Sequence, residues 1–95
     1  MTPAKPPESN DPRVLFEYFS NEYAQALQAF TAIENQAATL LLMGYNDDLR
    51  GFIDQFLEMA TRIRALALEK NEINFADWFE ELIAKAEKLK GGVAK

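Results

Sequence analysis

Apolar residues at Phe16, Phe19, Tyr23, Ala26, Phe30, Ile33, Ala37 and Leu40 recur in alternating steps of three and four. That spacing holds them on one side of a helix and forms a seam of about four heptads. From Arg13 to Met43 no Gly or Pro interrupts it. The pattern predicts a first helix over 12–43, roughly 48 Å long at ~1.5 Å per residue. Asp11 stands at the N-cap position, and Pro12 at the first helical position, where its missing N–H costs nothing. Ser20 and Asn21 both favour caps. A break there, giving four helices instead of three, is the alternative.

A second seam, Leu49, Phe52, Phe56, Met59, Ile63 and Leu66, flanked by Ile53, Ala60 and Ala67, predicts a second helix over 47–70. Gly44 is the expected left-handed stop before it, with Tyr45 folding back on Leu40. Asn46 is the expected cap, and Asp47 and Asp48 complement the positive helix start. Phe75, Phe79, Leu82, Ala86 and Leu89, with Trp78 and Ile83 beside them, predict a third helix over 75–90. Asn74 and Asp77 approximate a capping box, and Ile73 with Trp78 a hydrophobic staple. Asp77, Glu80 and Glu81 lie early and Lys85, Lys88 and Lys90 late, both as the helix dipole favours. Gly91-Gly92 ends the helix.

The fold class expected is all-α: a three-helix antiparallel bundle with a long first helix. Turns of two or three residues force each helix back along its predecessor. Folding about Tyr45 opposes residues whose numbers sum to about 91, which sets Phe30 near Thr61. The domain reading is a disordered Pro-rich tail over 1–11, one helical domain over 12–91, and a flexible C-terminus over 92–95.

Charge sharpens this picture. Tyr23 to Met43 contains a single charged residue, Glu34. A helix with one solvent face normally carries charges along it, so this stretch is expected to be covered on more than one side. Just before it, Val14, Leu15, Phe16, Tyr18 and Phe19 are apolar at five of six positions. They surround the helix, and one neighbour cannot cover them all. The expected interface is therefore Val14, Leu15, Phe16, Tyr18, Phe19, Ala24, Ala29 and Ala32. The expected partner is a second copy, with another protein partner as the alternative.

Composition bounds the chemistry. The 95 residues include no Cys and no His. Disulfides, thiolate or imidazole metal sites, a thiol nucleophile and the histidine-dependent triads and dyads of acyl transfer are thereby excluded. The glycines have no phosphate-loop spacing. A net charge of −5 opposes nucleic acid and anionic membrane surfaces, so neither is an expected partner. No run of 18 apolar residues exists, and residues 1–8 lack a signal-peptide core. The address expected is the cytoplasm.

Carboxylates remain as catalytic material: Asp47, Asp48, Asp54 and Glu58 on the second helix, Asp77, Glu80 and Glu81 on the third. Glu58 and Arg62 read as a surface ion pair and the other acids as caps. The function expected is a non-enzymatic helical interaction module: an adaptor, assembly factor or regulatory subunit. No catalytic, cofactor-binding or metal-ligating residue is assigned. The alternatives are a magnesium-dependent hydrolase using those carboxylates, and a sensor of a small apolar ligand held between helices.

Overall fold

A computed structural model describes residues 10–93. They form three helices: α1 Pro12–Leu42, α2 Asn46–Glu69 and α3 Ile73–Gly91. Of the expected disordered tail over 1–11, residues 1–9 lie outside the described residues, and Asn10 and Asp11 are described. The Asn10 side chain accepts a hydrogen bond from Lys70 Nζ at 3.1 Å. Asp11 is the N-cap of α1, its carboxylate accepting the Arg13 backbone N–H at 3.0 Å.

The helix is continuous through Ser20 and Asn21. Cap-forming residues stop a helix only where the chain gains by leaving it. Here Phe19, Glu22 and Ala26 are all buried on one side of α1, and a break between them would separate that packing.

Both turns are built the same way. Gly44 has φ +80, the Tyr45 N–H donates to the Leu40 carbonyl at 2.8 Å, and the Gly44 N–H to the Leu41 carbonyl at 3.2 Å. At the next turn Asn71 has φ 62, the Glu72 N–H donates to the Ala67 carbonyl at 2.7 Å, and the Asn71 N–H to the Leu68 carbonyl at 3.1 Å. Each is the paired 6→1 and 5→2 closure that satisfies helix-end carbonyls.

This closure corrects two expected caps. Tyr45, not Asn46, is the N-cap of α2, and no side-chain cap bond is made there. Helix α3 starts at Ile73 with Glu72 as N-cap, so Asn74 lies inside the helix and forms no capping box. In both cases the left-handed residue completes the reversal, and the chain re-enters a helix two residues later.

The core is one cluster, with Phe19, Phe79, Leu49, Ile53 and Leu82 as its largest fully buried side chains. Burying such a side chain contributes roughly 1.5–3 kcal/mol. The most extensive packing is between α2 and α3. Lys90 Nζ meets Asp54 at 2.6 Å and Arg64 approaches Glu80 at 3.8 Å. Phe30 packs on Phe56, ring centroids 5.5 Å apart. Thr61 points to solvent, whereas Phe56 belongs to the buried seam. Val93, at the end expected to be flexible, is buried, while 94 and 95 lie outside the described residues.

The molecule measures 47 × 21 × 15 Å. At ~1.5 Å per residue, a 31-residue helix spans roughly that long axis.

Candidate interaction surface

Helix α1 has a buried side and an open side, and its neighbours decide which residues fall on each. Its N-terminal half meets the aromatic start of α3. Phe75 stacks on Phe19 at 5.7 Å and meets Phe16 edge-on at 5.6 Å. Tyr23 lies 5.5 Å from both Trp78 and Phe79. These rings come together because helical spacing puts 16, 19 and 23 on one side of α1 and 75, 78 and 79 on one side of α3.

The consequence for the expected interface is direct. Leu15 and Phe19 are buried within the chain's own core, Phe19 completely. They are not available to a partner, because α3 already covers them. Tyr18 and Ala29 are half-buried. Val14, Phe16, Ala24 and Ala32 are exposed, Phe16 at 61%. The apolar ring at 14–19 thus leaves a smaller surplus than its composition implies.

Within this chain the nearly uncharged stretch is covered on one side only. Ala26, Phe30 and Ala37 are buried, while Ala24, Leu27, Thr31, Ala38 and Leu41 face outward. Glu34, the one charge, is exposed at the edge of a cleft of about 300 Å³ with Phe30, Lys85, Lys88 and Leu89. Lys85 and Lys88 of α3 line the same cleft.

One buried polar residue escaped the sequence reading. Glu22 is only 3% exposed. Its position was legible, since 15, 19, 22 and 26 step by four, three and four along the buried side. Burial raises the pKa of the Tyr18 phenol above its ordinary value, and the negative charge of Glu22 adds to the rise.

Three of the carboxylates considered for catalysis are held in ion pairs. Asp47 pairs with Arg50, Asp54 with Lys90, and Glu80 with Arg64. Glu58 and Arg62 are both exposed, and the expected ion pair between them does not form. Two long solvated side chains lose more rotamer freedom than such a contact returns. Among the described residues no group of three acids is placed to hold a metal ion. A cleft of about 360 Å³ at the end of α3 is lined by Arg50, Leu57, Glu87, Lys90 and Val93, mixing both charge signs. None of the described helices is long and apolar enough to cross a membrane.

Comparison with protein-family models, with curated proteins and with solved structures found no match to this chain.

Proposed function

We propose that this protein is a non-enzymatic interaction module that works as a homodimer, pairing through the open face of α1 as a short coiled coil. The observation that carries the reading is the outward side of α1. Leu27 is 43% and Leu41 37% exposed there, and Glu34 is the only charge from Tyr23 to Met43. A solvated helix face of that length without charges forgoes the usual solubility device.

A neutral face permits a second copy as the occupant. Each chain carries −5, so two copies repel unless they meet through a neutral surface. A basic partner, in contrast, would be drawn to the acids of α2 and α3.

Within each copy we infer an antiparallel bundle. The connections 43–45 and 70–72 are too short for any path but a direct return. The Asp54–Lys90 and Arg64–Glu80 pairs support it, since numbers rise on α2 as they fall on α3. Sedimentation equilibrium at micromolar concentration is the test. A mass of two chains supports the module; a single 10.8 kDa species at all concentrations rejects it.

A further inference from the structure

We propose that the cleft between α1 and α3 binds an amphipathic anion, a long-chain carboxylate, with its head at Lys85 and Lys88 and its chain running toward Tyr23 and Trp78. The proposal does not depend on the pairing of α1 and stands or falls separately from it.

The cleft, of about 300 Å³, is lined by Phe30, Glu34, Lys85, Lys88 and Leu89. That volume is at the lower end for small-ligand sites, which combine apolar walls with a few placed polar groups. Phe30 and Leu89 supply the apolar part. Lys85 and Lys88 supply two ammonium groups, and their spacing of three makes them neighbours on the helix surface. Among the described residues neither is in an ion pair, whereas Arg64 and Lys90 are held by Glu80 and Asp54. Glu34 is the one acid in the lining, so the cleft carries two positive charges against one negative, in a chain of net charge −5. The local sign suits an anion although the molecule as a whole repels one.

The aromatic contacts continue the cleft along the two helices. Tyr23 and Trp78 meet with ring centroids 5.5 Å apart. Tyr23 stands seven residues before Phe30, and Trp78 seven before Lys85. Seven residues are nearly two whole turns, so each pair shares one side of its helix. The aromatic pair and the cleft therefore lie on the same α1–α3 seam, about 10 Å apart at ~1.5 Å per residue. Trp78 is 46% exposed and Tyr23 half-buried, so both rings still offer apolar surface there. An acyl chain laid along the seam is removed from water together with that surface. Charge sets the orientation. Glu81, exposed three residues after Trp78, repels a carboxylate from the aromatic end.

Trp78 is the only tryptophan, so its fluorescence reads the chain end of the site directly. The natural protein is titrated with dodecanoate below its micelle concentration, and a saturable change in Trp78 emission is expected. Dodecyltrimethylammonium, with the same chain and the opposite head, should bind at least about tenfold more weakly. Lys85→Gln combined with Lys88→Gln should weaken dodecanoate by about tenfold, and Glu34→Gln should tighten it. All three positions are exposed, so circular dichroism should be unchanged. An emission that does not change up to the micelle limit overturns the proposal. Equal affinity for the two heads also overturns it, as does dodecanoate binding unaltered in the double lysine variant.

Discussion

Phe79 and Phe16 are the same residue type with opposite surroundings. Phe79 is fully buried and touches Tyr23, whereas Phe16 is 61% exposed and meets only the edge of Phe75. Phe79→Ala removes transfer energy and leaves a cavity, so denaturant unfolding is expected to show a loss of about 3–5 kcal/mol. Phe16→Ala is expected to cost about 1 kcal/mol or less in the same measurement. Equal losses would mean that the two rings are equally buried.

Tyr18 supplies a pH effect of known sign. Its folded pKa is raised by burial and by the charge of Glu22, relative to the ordinary value near 10.0. The folded chain then holds the phenolic proton more tightly than the unfolded chain does. That stabilisation is fully present below pH 10 and is lost as pH rises through the folded pKa. Melting temperatures measured between pH 9 and about 11.5 should fall less steeply for Tyr18→Phe than for the natural chain. Identical slopes would remove Tyr18 as the source.

At the scale of elements, the continuity of α1 is the consequential property. A break at Ser20 would have let 12–19 fold separately over the end of the bundle. Instead Ser20 lies mid-helix. Ser20→Pro removes an internal hydrogen bond and clashes with the preceding turn, so a loss of about 3 kcal/mol or more is expected in chemical denaturation. At a true helix start proline would be tolerated, so an unchanged midpoint would argue for a break.

Seams and breakers made the helix spans readable to within two residues, because 3.6-residue periodicity is a local property of the chain. The caps of α2 and α3 were less readable. Asn46 and Asn74 are good cap residues, but left-handed Gly44 and Asn71 end the preceding helices so tightly that Tyr45 and Glu72 occupy the cap positions instead.

For the whole molecule the question is what the open side of α1 is for. Leu27 sits mid-way along it and outside the chain's core. Leu27→Glu should therefore leave the circular dichroism spectrum and the single-chain fold intact. In sedimentation equilibrium it should weaken association by about tenfold or more, since it sets a new charge in the proposed interface. A variant that unfolds would instead show that Leu27 supports its own chain.

The aromatic ring at 14–19 shows where local reading stopped. Composition alone could not say which of its members α3 would take, because the contact joins residues some 56 positions apart in the chain, Phe19 to Phe75 and Tyr23 to Phe79. For the same reason Glu22 was missed. Its place in the buried row was visible, but its enclosure depends on how the bundle closes.

By itself the sequence determined three helices, their approximate ends, and the absence of cysteine and histidine chemistry. Those follow from periodicity, breakers and composition, each a property of neighbouring residues or of the chain's inventory. The tertiary structure alone decided that Leu15 and Phe19 are core and that α1 runs unbroken. It also left the uncharged side of α1 open. These depend on which surfaces distant helices bring together, and burial is a property of that assembly rather than of any segment.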